Sequence, residues 1–143
     1  MEKSDIQNIL GELTNANLVI LGISITIFTV VYSFLANKKI DLNKLTNKIS
    51  NNPSNPFDNQ QKYFALNYIR QFSKINEKLL HLIIASFLLF LSIFIFNRFL
   101  LDMFQKFKEL FLYLFFGLTA LALFYFVYVF IDLIRKYKDE LTV

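Results

Sequence analysis

Gly22, Thr26, Thr29, Ser33 and Ala36 follow one another at intervals of four, three, four and three. On an α-helix that alternation keeps residues on one stripe, and this stripe collects every small or hydroxylated side chain of its segment except Ser24. Lipid gives helices no hydrophobic drive to associate, so they meet through small residues that let backbones approach and hydroxyls that bond across the contact. The stripe therefore reads either as a helix–helix contact or as a path in an oligomer where Thr26, Thr29 and Ser33 meet water. Both readings need protein packed against it.

His81 is the single histidine. It stands near the start of the second apolar stretch, with Ala85 and Ser92 continuing its face. A side chain that titrates near neutral pH suits a proton-sensitive gate. One imidazole per chain makes neither a metal cluster nor a catalytic set, so a gate needs a ring of copies, and a hydrogen-bonded interfacial residue is the simpler reading.

Farther along, Tyr125, Tyr128 and Asp132 share a face, and Arg135 and Lys136 stand three and four residues after Asp132. That is the spacing of an ion pair along one helix; a cation-binding carboxylate is the rival reading. Gly117 and Ala120 mark where this helix admits a close neighbour. The chain has no Cys, which excludes disulfides, thiolate metal sites and thiol nucleophiles. It has no phosphate-binding Gly loop, no H-E-x-x-H and no pair of carboxylates inside an apolar stretch. These absences predict a protein that is not an enzyme and that carries neither cofactor nor metal.

The elements that must position these residues follow from hydropathy. Apolar residues make up 55% of the 143, and the mean hydropathy is +0.45, values of the membrane class. A helix needs roughly 20 apolar residues to cross a core about 30 Å thick. Three stretches meet that length: 18–36, 79–96 and 110–134. None contains Pro, consistent with helices whose backbone groups must all be paired in lipid. The first stretch is longer than the apolar core of a signal peptide and follows an acidic tail (Glu2, Asp5, Glu12) with no small-x-small cleavage site after it, so it reads as a span.

Between the spans, 1–17 opens with the capping pattern Ser4-Asp5-Ile6-Gln7 and continues with Ile6, Ile9, Leu10 and Leu13 on one face, an extracytoplasmic amphipathic helix. Residues 37–60 carry Asn51-Asn52-Pro53-Ser54-Asn55-Pro56 and read as a flexible cytoplasmic loop. Residues 61–78 repeat Leu66, Ile69, Phe72 and Ile75 on one side, so the second span extends into a cytoplasmic helical stalk. Residues 97–109 alternate apolar and charged side chains as an outer interfacial helix, and 135–143 form a basic tail. The fold class is therefore an all-α integral membrane protein with three transmembrane helices, an N-terminal amphipathic helix and a cytoplasmic extension of the second span.

The net charge of +4 is distributed as a topology signal rather than as a nucleic-acid surface. Lys38, Lys39, Lys44, Lys48, Lys62, Arg70, Lys74 and Lys78 crowd the segment between the first two spans, with Arg135, Lys136 and Lys138 in the tail. Lys3, Arg98, Lys106 and Lys108 are the cations of the other side. The positive-inside rule then predicts an outer amino terminus and a cytoplasmic carboxyl terminus, in a bacterial inner membrane.

A hydroxyl-striped first span ending in a Lys cluster (ILGISITIFTVVYSFLANKK), two Phe-rich spans and a basic tail (LIRKYKDE) resemble small multi-span effectors of bacterial antiphage and phage-exclusion systems, in the RexB-like layout. The resemblance covers the membrane half of the chain. It implies a homo-oligomer that depolarises or permeabilises the membrane, with lipid and self as partners and with 61–78 receiving a signal from a cytoplasmic sensor protein. Two rivals share the plan: a holin-like lysis protein, and a non-conducting scaffold that anchors a cytoplasmic partner. Bacterial diacylglycerol kinase also has three spans, but no Glu occurs in any of the three here.

Overall fold

The computed structural model describes residues 3–51 and 56–141. Three helices account for nearly all of it: α1 (Lys3–Asn51), α2 (Pro56–Ile95) and α3 (Lys108–Leu141). Each is long and apolar enough to cross a membrane. A narrow face of each helix is buried while large apolar side chains such as Phe124 (73% exposed) look outward, a surface compatible with a multi-pass membrane protein.

The buried face of α1 is written in one repeat. Ile6, Leu10, Leu13, Asn17, Ile20 and Ser24 are buried at intervals of four and three, and Val31 and Leu35 continue the same seam. On α2 the buried positions Phe72, Ile75, Leu79, Leu82, Ser86 and Ile93 keep that period, and Phe96, in the turn that follows α2, continues it. A repeat averaging 3.5 residues holds two helices in contact along their length by knobs-into-holes packing. It explains why α1 and α2 run together as one long antiparallel pair, with α3 laid against them.

Two apolar clusters lock the bundle. At the connector end Ile6, Leu10 and Leu13 of α1 meet Ile93, Phe96, Leu101, Leu112 and Phe115. At the basic end Val31 and Leu35 meet Phe72, Ile75, Leu79, Val129 and Leu133. There Phe72 is stacked on Tyr68 (ring centroids 4.4 Å) and met edge-on by Tyr137 (5.3 Å). Between the clusters lie four buried polar residues, Asn17, Ser24, Ser86 and Thr119. Asn17 Nδ2 donates to Thr119 Oγ1 at 2.9 Å and to the Leu13 carbonyl at 2.8 Å, a bond that ties α1 to α3 at mid-bundle.

Three segments differ from the sequence expectation. The amphipathic segment 1–17 is not a separate helix over its described part, because α1 runs from Lys3 without a break and its Ile6–Leu10–Leu13 face is absorbed into the chain's own bundle. The flexible loop expected over 37–60 is largely helical. α1 continues to Asn51 and α2 starts at Pro56, leaving only 52–55 of that segment outside the described residues. The cause is that the α1 seam persists at Leu42, Leu45 and Ile49, all half-buried, and that Pro56 sits at the first position of α2, where a helix tolerates it. The stalk is thus a two-helix hairpin, clasped near its tip by Lys48 Nζ on Asp58 Oδ1 at 2.8 Å.

The third difference is 97–109, which does not form one interfacial helix. α2 ends in a π-helical turn, Phe96–Leu100, closed by Leu101 N–H on the Phe96 carbonyl at 2.9 Å. A turn and the short 3-10 segment Gln105–Phe107 then lead into α3. Widening the last turn by one residue swings Leu101 into the connector-end cluster, where it is 3% exposed. A straight surface helix would have held that residue away from it.

Candidate functional site

The stripe of α1 faces away from the bundle. Gly22, Thr26, Thr29 and Ser33 are exposed and Ala36 is half-buried. A Cβ built on Gly22 would meet nothing within 4 Å, so at Gly22 the stripe makes no close helix–helix contact among the described residues. Ser24, which lies off the stripe, is the hydroxyl that α1 buries.

Carrying the four-three interval upstream from Gly22 reaches Val19, Asn15, Glu12 and Asn8, all exposed. From Asn8 to Ala36 this outward seam runs two residues out of step with the buried seam. Two residues turn a helix by about 200°, so the seams lie on opposite sides of α1. Eight of the nine outward positions are small or polar, Val19 being the exception.

The neighbouring helices present a different surface at the same height. The connector-end cluster sets the first four turns of α1 beside Ile93 and Phe96 of α2 and Leu112 and Phe115 of α3. Around those positions α2 exposes Phe94 and Ile95, and α3 exposes Tyr113, Leu114 and Phe116. α1 exposes Asn8, Glu12 and Asn15. At this height α1 exposes polar side chains, while the other flanks are mainly aromatic and aliphatic, with Ser92, Arg98 and Glu109 exposed among them.

The hydroxyls of the seam have already spent their protons. Thr26 Oγ1 donates to the Gly22 carbonyl (3.0 Å), Thr29 Oγ1 to the Ile25 carbonyl (2.9 Å) and Ser33 Oγ to the Thr29 carbonyl (2.8 Å). With the proton turned back to its own helix, each oxygen presents lone pairs outward. The seam offers hydroxyl oxygens as acceptors, the amides of Asn8 and Asn15 and one carboxylate, and no cation between Asn8 and Ala36.

Asp132 finds a partner that spacing along α3 could not reveal. Lys78 Nζ of α2 lies 2.8 Å from Asp132 Oδ2, while Lys136 Nζ stands at 3.9 Å, and no bond to Arg135 is recorded. Lys78 also lies over the Tyr128 ring, 4.9 Å from its centroid, which accounts for the shared face of Tyr128 and Asp132. The group is a clasp between α2 and α3 at the basic end, with the carboxylate neutralised by two cations. His81 is exposed on α2 and, among the described residues, joins neither the clasp nor the α1 seam. Among the described residues, no three His, Asp or Glu side chains gather as metal ligands.

Comparison with protein-family models, with curated proteins and with solved structures finds no match to this chain. A functional reading therefore rests on the residues themselves.

Proposed function

We propose that this protein is a homo-oligomeric effector of the bacterial inner membrane, in which the outward seams of several α1 helices line a water-accessible path that depolarises the membrane as part of antiphage defence. The observation that carries the reading is the mismatch of flanks: α1 turns Glu12, Asn15 and a file of hydroxyls outward where α2 and α3 turn Phe, Tyr and Leu. A polar helix flank at hydrocarbon depth is costly unless protein or water covers it. Copies assembled with α1 inward place that flank on a lumen and the aromatic flanks in lipid. The basic end, with Lys38, Lys39 and the hairpin, then lies in the cytoplasm. A wall of oxygen lone pairs with a carboxylate toward one mouth favours cations over anions.

The chain has no Cys, so single-cysteine variants report one position each. In membranes, Thr26→Cys and Ser33→Cys should react with a membrane-impermeant thiol reagent, whereas Leu88→Cys and Phe124→Cys should not. Expression should collapse the membrane potential, and Thr26→Leu or Thr29→Leu should abolish that collapse while leaving the protein in the membrane. Protection of all four cysteines, with the potential intact, would refute the reading.

A second reading, a scaffold without conduction, is favoured by one feature: the hairpin exposes Tyr63 and Leu66 beside Arg70 and Lys74. It predicts an unaltered potential and a co-purifying cytoplasmic protein that is lost when 61–78 is deleted.

A further inference from the structure

Lys136 of α3 reaches the Gln71 carbonyl and Tyr137 meets Phe72; α3 ends at Leu141, while α1 and α2 face each other as a pair as far as Asn51 and Pro56. A groove of about 830 Å³ opens between them, within the range of small-molecule sites. Ala65 stands on the α2 seam three residues before Tyr68 and seven before Phe72, and its small side chain leaves the seam open.

The lining is sorted by chemistry. α1 contributes Lys38 and Lys44, six residues and therefore about 9 Å apart along the helix. The Lys38 ammonium is 5.7 Å from the centre of the Tyr68 ring, and Lys44 has no ion pair among the described residues. α2 contributes Phe64, an aromatic ring left 55% exposed at the groove. The amides of Gln61, Asn67 and Gln71 are spread along the same wall, and Asp41 lies between the two lysines on the other.

We propose that this groove binds a nucleotide, its phosphates held by Lys38 and Lys44 and its base laid against Phe64. Lysine ammonium groups hold phosphate oxygens as point charges. A flat ring stacks on an exposed aromatic irrespective of its identity. The side-chain amides carry the donor and acceptor pairs that read a base edge, and the Asp41 carboxylate accepts from a ribose hydroxyl. Inorganic phosphate would leave most of the volume empty. A phospholipid fits in the wrong sense: Lys38 is the end of the groove nearest the apolar stretch of α1, and Leu45 and Phe64 lie farther from it, the reverse of a lipid with its tails in the bilayer.

The site stands on the hairpin alone and holds whether or not α1 lines a path, so it is tested without ion flow. The full chain, purified in detergent, is titrated with ribose-labelled fluorescent ADP, then challenged with unlabelled ADP, UDP, inorganic phosphate and short-chain phosphatidylglycerol. The expected result is saturable binding displaced by the unlabelled nucleotides and not by phosphate or the lipid. The double variant Lys38→Gln, Lys44→Gln and the variant Phe64→Ala should each weaken it by about tenfold or more. Lys62→Gln, outside the groove, should leave it unchanged. Circular dichroism on each variant checks that the helices persist, and the glutamine pair keeps most of the lysine stem should Phe64→Ala unfold the hairpin. No saturable binding to a fully helical protein, equal binding by the glutamine pair, or displacement by phosphatidylglycerol in place of nucleotide each overturns the proposal.

Discussion

The two sides of α1 obey the same four-three count and answer to different surroundings. On the buried side the count selects Ile6, Leu10, Leu13 and Val31, and even its polar members, Asn17 and Ser24, are fully enclosed. On the outward side it selects Asn8, Glu12, Asn15, Gly22, Thr26, Thr29 and Ser33. Periodicity alone therefore says that a helix has a seam but not what lies against it. The composition of the seam supplies that: bulk and branching where the chain packs on itself, small size and oxygen where something outside the chain must fit.

The contrast can be broken most forcefully from the buried side. Leu10 is 0% exposed in the connector-end cluster, and Leu10→Ala should cost about 2–5 kcal/mol, seen as a lower unfolding midpoint in detergent, whereas Val19→Ala on the outward seam should cost far less. If the two variants melt alike, α1 is not held as described. A smaller effect is expected at mid-bundle. Removing the Asn17–Thr119 bond by Thr119→Val should cost about 0.6–2 kcal/mol, read by the same melts, and the variant Asn17→Leu combined with it should show that the two losses are not additive. The smallest effect has the opposite sign. Because nothing lies within 4 Å of a Cβ at Gly22, Gly22→Ala should stabilise the isolated chain by about 0.5–1 kcal/mol through helix propensity. Loss of self-association in the same variant, measured by cross-linking in membranes, would show that the seam needs the glycine for a neighbour and not for itself.

Much of the bundle was readable in advance because apolar length and helical period are local properties. The three long apolar stretches and the outward stripe of α1 needed no knowledge of the partner surface. The hairpin was obscured because Leu42, Leu45 and Ile49 are diluted by Asn, Lys and Thr, so composition argued for a loop while spacing argued for a helix, and spacing prevailed. The connector misled for a related reason: apolar residues three and four apart suit a straight helix, yet one wide turn at Phe96–Leu100 reuses the same residues to fold inward. The Lys78–Asp132 pair joins residues 54 positions apart. No local rule reaches that far, and the nearer Lys136 offered a plausible substitute.

The upstream half of the outward seam was missed although its signal was present. Asn8, Glu12 and Asn15 continue the interval that begins at Gly22. In the sequence they read as the polar side of a separate amphipathic tail, because the apolar face of 1–17 is the stronger periodic signal. Only when the two segments are one helix do their polar faces align.

α1 extends 49 residues with no proline inside it, a rod of about 73 Å. Such a rod acts as a lever: pivoted at its centre, a tilt of roughly 5° carries either tip through about 3 Å, the height of two residues. Whatever grips the hairpin moves the opposite extremity by the same stroke, with no hinge between them to absorb it.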